Sequence, residues 1–213
     1  MKRPERVTLS GQHVDLVPLD PAAHGDALFE ATTGREREAL WTYLPEGPFS
    51  DRASFNTYLQ DRARAEDAIF LAVIDRPTHR AVGYGSFMRI EPVHRVVEVG
   101  HILYTPALQR TRGGTEAMYL MSRYVFDDLE YRRYEWKCNA ENLGSRRAAL
   151  RLGFTFEGIF RQHMIVKGRN RDTAWFSMLD REWPARKAAF ERWLAPDNFD
   201  QTGRQKSRLE SRR

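Results

Sequence analysis

The chain has 213 residues, 41% hydrophobic and 12% aromatic, with 30% charged, which suits one well-formed core and excludes both a wholly disordered chain and an array of large domains. Its net charge of +5 sits at the ends: residues 201–213 carry five basic side chains against one acid, residues 1–6 three against one, and the body between is close to neutral. A basic nucleic-acid-binding face is therefore not expected. The single cysteine, Cys138, excludes an internal disulfide and a cysteine-rich zinc module, and the six histidines never fall at HxxxH or HExxH spacing, so no metal is expected. No window of 18 apolar residues and no secretory leader is present, which predicts a soluble, cytoplasmic protein with no membrane partner.

In chain order, a polar leader over 1–9 precedes an alternating strand at 13–19, and Asp20-Pro21 opens a helix to about residue 31. A proline-rich loop spans 41–49, and Ser50 is the expected N-cap of a helix over 51–65. Residues 68–75 and 81–90 form a hairpin about the turn 76–80. A strand follows at 96–104, stopped by Pro106, and a glycine loop at 109–114 leads into a helix with apolar residues at Ala117, Leu120, Met121, Tyr124, Val125 and Leu129. Strand 131–138, helix 142–152 closed by Gly153, and strands 154–167 and 171–180 joined by Gly168-Arg169-Asn170 come next. A helix over 182–194 ends the domain at about residue 195, and a basic, flexible tail is expected over 196–213. The fold class is mixed α/β, one sheet covered by helices, in a single domain over 10–195.

Gln109-Arg110-Thr111-Arg112-Gly113-Gly114-Thr115 lies between a strand and a helix, where converging backbone amides suit a pyrophosphate and Arg110 and Arg112 add charge. An ordinary glycine turn would have the same composition. The stretch continues Glu116-Ala117 and resembles the QxxGxG/A fingerprint of the GNAT superfamily of acyl-CoA-dependent N-acetyltransferases, most closely the ribosomal-protein N-terminal acetyltransferase group. A second block, Asn139-Ala140-Glu141-Asn142-Leu143-Gly144-Ser145 followed by Gly153-Phe154 and Glu157-Gly158, resembles that group's NxxNxxS, GF and EG succession. The resemblance spans about residues 10–183. Arg112 stands where the fingerprint has glycine, so its side chain must either leave the pyrophosphate path or pair with a phosphate.

The resemblance implies a mainly antiparallel sheet of about seven strands, splayed between strands four and five, with acetyl-CoA as cosubstrate, an amine as acceptor, and a monomer or homodimer. It implies that Ile102, Leu103 and Tyr104 flank the pantetheine arm, that residues 109–115 hold the pyrophosphate, and that Asn142 contacts pantetheine. Gly100 is a bulge residue or a point of close backbone approach. Alternation along 96–104 puts Glu98, Gly100, Ile102 and Tyr104 on one face and Val97, Val99, His101 and Leu103 on the other. Glu98 is the first choice as base and His101 the second, with a carboxylate paired to Arg89 or Arg133 and a core histidine as the structural alternatives. Ser145 is placed near the CoA sulfur and Asn142 beside it, although both types are also favoured helix caps. The tyrosine that many relatives carry on this helix as thiolate acid is missing here. Trp41, Tyr84, Phe87 and Arg89, with Tyr43 and Phe49, would line the acceptor groove, unless the aromatics are core. Two other readings stay open: an inactive GNAT-fold protein that binds CoA or partners, and a nucleic-acid module built on Arg146, Arg147, Arg151 and the tail. A strand rather than a helix before that arginine-rich helix argues against the latter.

Overall fold

In a computed structural model, which describes residues 2–209, one sheet of eight strands carries the molecule. The strands are β1 (Leu9–Ser10), β2 (Val14–Pro18), β3 (Ala68–Asp75), β4 (Arg80–Glu91), β5 (Val96–Tyr104), β6 (Arg133–Asn139), β7 (Thr155–Val166) and β8 (Arg169–Leu179), and the helices α1 (Pro21–Thr32), α2 (Arg52–Arg64), α3 (Arg112–Arg123), α4 (Leu143–Arg151) and α5 (Trp183–Leu194). Across the sheet the order is β1-β2-β3-β4-β5-β6-β8-β7. Every neighbouring pair is antiparallel except β5 and β6, which run parallel. The mixed, mainly antiparallel expectation holds, and the short β1, hidden in the leader, makes the eighth strand.

Two cores cover the two faces. One packs Leu28, Trp41, Phe55, Tyr58 and Leu59 from α1, α2 and the segment between them against Phe70 and Tyr84. The other packs Ala117, Leu120 and Met121 of α3 with Ala149 and Phe190 against Val97, Val99 and Tyr134. Burying such aromatic and aliphatic side chains contributes about 1.5–3 kcal/mol each, which ties the helices to the sheet.

Local chemistry sets the helix starts. Asp20 caps α1, its carboxylate accepting from the Ala22 amide, and Pro21 occupies the first helical position. Asp51, one residue later than expected, caps α2 by accepting from the Ser54 amide at 2.9 Å. The expected glycine loop is shorter than predicted: Thr111 caps α3, Thr111 Oγ1 accepting from the Gly114 amide, so Gly113 and Gly114 lie in the first helical turn. Both glycines answer a packing demand, since a Cβ on Gly113 would lie 2.7 Å from Val14 Cγ1 and one on Gly114 2.7 Å from the Leu108 carbonyl oxygen. Glu116, one turn on, is buried and accepts from the amides of Gln12, His13 and Val14, locking the β1–β2 turn to α3. The β7–β8 turn is Lys167-Gly168, both at positive φ, one residue earlier than predicted.

Of the tail expected over 196–213, residues 196–209 pack back on the domain. Phe199 and Leu209 are buried, Trp193 Nε1 donates to Gln205 Oε1 at 2.9 Å, and Asn198 Oδ1 accepts from the Ser207 amide at 2.9 Å. Polar composition concealed two apolar anchors spaced to fold back on α5. Residues 210–213 of that predicted tail lie outside the described residues.

Candidate active site

Parallel pairing of β5 with β6 runs from Val96–Arg133 to Val99–Trp136 and stops. Beyond it the two strands part, leaving residues 100–104 and 137–139 to line a cavity of about 880 Å³. Within β5 the register against β4 slips: Ser86 pairs with Gly100 but Tyr84 with Leu103, so one residue is extra. His101, at φ +49°, is the bulged residue, and Gly100 is the close approach, since a Cβ there would collide with Met88 Sδ.

The bulge corrects the alternation expected for β5. Past it the faces exchange, so that Leu103 joins the core beneath α1 and α2 while Ile102 and Tyr104 turn toward α3. Tyr104 Oη donates to the Gly114 carbonyl at 3.2 Å, tying the strand to the start of α3. His101 stacks against Phe70, on the side of the sheet that α1 and α2 cover, and lines the same cavity as Glu98 rather than the opposite face.

Most predicted cofactor residues meet on this cavity: Ile102, Leu103 and Tyr104 along β5, Gln109, Arg110, Thr111, Gly114 and Thr115 at the start of α3, and Asn142 at the start of α4. Arg112 and Gly113 do not line it. Gly113 is packed against Val14, and the Arg112 guanidinium lies 3.6 Å from the centre of the Phe199 ring, drawn out of the phosphate path by the C-terminal segment. The departure from the glycine fingerprint is thereby accommodated. At α4, Asn142 Oδ1 accepts from the Ser145 amide at 2.9 Å, so Asn142 is a cap that also faces the cavity. Ser145 Oγ accepts from Trp136 Nε1 at 2.9 Å and lies on the same wall. Beside it, burial raises the pKa of the Cys138 thiol, which keeps it protonated and unreactive.

Glu98 is buried, with Oε2 3.0 Å from Arg89 Nε and 2.9 Å from Lys137 Nζ. Burial raises its pKa and the Lys137 charge pulls it back, leaving it above the ordinary glutamate value. The structural pairing foreseen with Arg89 is present. The one with Arg133 is not, because Arg133 is engaged by Glu135 and Glu157. Burial, aided by the Arg62 charge, lowers the His101 pKa to about 4, so its ring is neutral at pH 7. Ser86 Oγ donates to the Gly100 carbonyl and sits 3.1 Å from His101 Nδ1. The arrangement that satisfies all three groups has Nδ1–H donating to Ser86, which leaves Nε2 with a free lone pair.

Of the predicted acceptor residues, Tyr43 and Arg89 line the cavity. Trp41, Tyr84 and Phe87 are fully buried, Trp41 donating its indole N–H to the Thr32 carbonyl and Tyr84 sharing a hydrogen bond with Tyr58. Large aromatics on a sheet with two covered faces go to the cores, and Leu40, Leu44 and Met88 join Tyr43 in the wall. Phe49 is likewise packed edge-on to Trp41. Lys137, His163, Met164, Arg171 and Thr173 also face the cavity and escaped the sequence reading. The β7–β8 turn closes over this end, with Lys167 Nζ donating to the Trp41 carbonyl at 2.8 Å. Arg151, assigned to a nucleic-acid face in one reading, lines the cavity, with Nη1 donating to Thr115 Oγ1 and the guanidinium over the Trp193 ring. Among the described residues no cluster of His, Cys, Asp and Glu could hold a metal, and no helix is long and apolar enough to cross a membrane.

The acetyltransferase (GNAT) domain family matches residues 13–155. The crystal structure of a GCN5-related N-acetyltransferase from Brucella melitensis superposes with a TM-score of 0.95 at 51% identity, covering 98% of this chain and 95% of that one. The uncharacterized N-acetyltransferase p20 of Bacillus licheniformis is 28% identical over 148 residues, 66% of this chain and 80% of that protein. The ribosomal-protein-serine acetyltransferase of Escherichia coli (strain K12) is 33% identical over 81 residues, 38% of this chain and 45% of that protein. With the splayed parallel pair, the capped start of α3 and the cavity between them, these similarities identify the chain as a member of the GNAT acetyltransferase family.

Proposed function

We propose that this protein moves the acetyl group of acetyl-CoA to a primary amine, on a protein N-terminus or a small molecule, by direct attack of the amine on the thioester. The observation that carries the reading is one continuous cavity that runs from the capped start of α3, through the opened strands, to Glu98 and His101. The residues present fit the cosubstrate. The positive end of α3, with Arg110, Thr111, Gly114 and Thr115 on the cavity, suits a pyrophosphate. The edge of β5 beyond Val99, released from β6, offers backbone partners to pantetheine amides, with Asn142 across the gap. Acetyl-CoA supplies an activated acyl group.

The chain's own residues do the rest. Glu98 takes the proton of the incoming ammonium, directly or through water, and its raised pKa brings it closer to the amine's. His101 Nε2 is the alternative acceptor. Ser145, whose oxygen already accepts from Trp136, has its own proton to give to the departing sulfur or to a water beside it. This hydroxyl takes the place of the missing tyrosine. The catalytic unit is residues 10–195, with the ordered segment that follows packed on α5.

Acetyl-CoA should raise the melting temperature by mass action on the native state, and amines should release CoA thiol in its presence. The blocking variant is Gly144→Trp, because a Cβ at Gly144 meets nothing closer than Asn142 Oδ1 at 3.5 Å, so bulk enters the cavity wall without disturbing the fold. It should abolish the shift while keeping the melting temperature of the apo protein. An unchanged shift would locate CoA elsewhere, and a shift without turnover of any amine would favour an inactive CoA-binding protein.

A further inference from the structure

The acceptor end of the cavity holds an imbalance of charge. Lys137 Nζ is shared between two carboxylates, 2.9 Å from Glu98 and 2.7 Å from Glu135, and Arg89 Nε lies 3.0 Å from Glu98. Glu135 is also held by Arg133. Those contacts engage both carboxylates, and neither forms an ion pair with Arg171. Arg171 lines the cavity, its Nε is shielded from solvent, and its side chain makes no hydrogen bond or ion pair among the described residues. Burial lowers its pKa, and the Glu98 charge, beyond ion-pair distance, only partly pulls it back.

An arginine cannot escape that cost by losing its proton, and a shielded Nε–H with no acceptor is unfavourable unless a ligand completes it, best an anion that also takes the fork beside it. Its planar fork of N–H groups matches a carboxylate, two bonds at a time. The position is built rather than incidental. Arg171 pairs across the hairpin with Met164, another cavity residue, and two residues on Thr173 Oγ1 is hydrogen-bonded to His163 Nδ1 at 2.9 Å. The neighbouring wall, Leu40, Tyr43 and Leu44, adds no acid to neutralise it.

We infer that Arg171 anchors the acceptor, and that the acceptor is an amine carrying a carboxylate a few bonds from its reactive nitrogen. This rests on the acetyltransferase reading above. The guanidinium takes the carboxylate while Glu98 and His101 face the amine. A polycationic acceptor is disfavoured, because its extra ammonium groups would enter beside an unpaired arginine. The carboxylate belongs either to a free amino acid or to an acidic side chain early in a peptide.

Matched probes test this: L-alanine against alaninamide, and the amidated peptides Ala-Asp-Ala against Ala-Asn-Ala, with spermidine as the cationic control. Turnover is compared per concentration of free amine, and binding to the CoA complex is titrated calorimetrically. One carboxylate probe should exceed its amide partner about tenfold or more in kcat/KM and in affinity, as expected for a charge-assisted fork. Which pair shows the ratio identifies the source. Arg171→Met should bring the ratio to about one with the KM for acetyl-CoA unchanged, and Arg171→Lys should retain part of it. Equal use of both members of each pair, a preference that survives Arg171→Met, binding of neither probe, or a preference for spermidine would overturn the inference. A tenfold binding ratio without any acetyl transfer would keep the anion site and sink the acetyltransferase reading instead.

Discussion

The two ends of the cavity are built differently. The cofactor end comes from short continuous stretches, residues 102–115 and 142–145, in which a strand gives way to a capped helix start. The acceptor end is assembled from single side chains on remote segments: Tyr43 before α2, Arg89 and Glu98 on β4 and β5, Lys137 on β6, Arg171 on β8. In the proposed reaction the cosubstrate would be held by backbone and caps, which depend on local sequence. Acceptor choice would fall to side chains whose meeting depends on the whole sheet, so that each could change without moving the cofactor. The comparison breaks if a change at the acceptor end alters cofactor affinity, or the reverse.

The largest expected effect is at Glu98. Glu98→Gln preserves shape but removes the basic site, so kcat should fall about 10²- to 10⁴-fold with acetyl-CoA affinity nearly unchanged. The acidic limb of kcat/KM, set in the wild type by a carboxylate above the ordinary glutamate range, should flatten in the variant. Near-normal turnover by Glu98→Gln together with loss in His101→Ala would exchange the two roles. A large rise in the KM for acetyl-CoA would instead deny that the two ends are separable.

The same division explains how much could be read from sequence. The strand and helix succession was legible because periodicity and caps are local, as Asp20 and Pro21 illustrate. What failed was non-local. The bulge at His101 exchanged the faces of β5, and nothing in the strand's composition marks a single extra residue. The aromatic residues Trp41, Tyr84 and Phe87 could not be told from cavity lining until it was known that both faces of the sheet are covered. Lys137 was within reach, since pairing the two strands in parallel sets Glu98 opposite Glu135, beside it. Arg171 offered no signal at all, because an arginine near a hairpin turn is ordinarily solvated.

A smaller effect separates protonation at His101 from catalysis. Its pKa falls from 6.5 in the unfolded chain to about 4 in the native state, through burial first. Between those values the unfolded chain binds the extra proton, so stability should decline as pH drops from about 6.5 toward 4 and level off below. The loss is on the order of 2–3 kcal/mol, an upper figure for a group that is not wholly buried. Denaturant melts at pH 7 and pH 4.5 should therefore converge in His101→Gln relative to the wild type. An unchanged pH dependence in the variant would mean that His101 is more exposed than its stacking on Phe70 implies.

The smallest expected effect tests the departure from the family fingerprint. Arg112 stands where glycine is usual, and its guanidinium is engaged by the Phe199 ring instead of the cavity. Arg112→Ala should cost about 0.5–1 kcal/mol of stability through the lost cation–π contact, seen as a slightly lower melting temperature. Alanine is a better probe than glycine, which would add backbone freedom at the first helical position and mix two effects. Acetyl-CoA affinity should change by less than about threefold, whereas removing a charged contact to the pyrophosphate would cost tenfold or more. Phe199→Leu should reproduce the stability loss without touching the helix. If instead Arg112→Ala weakens acetyl-CoA binding and Phe199→Leu does not, the arginine swings from the ring to the phosphates when the cosubstrate binds, and the C-terminal segment would be holding it in reserve.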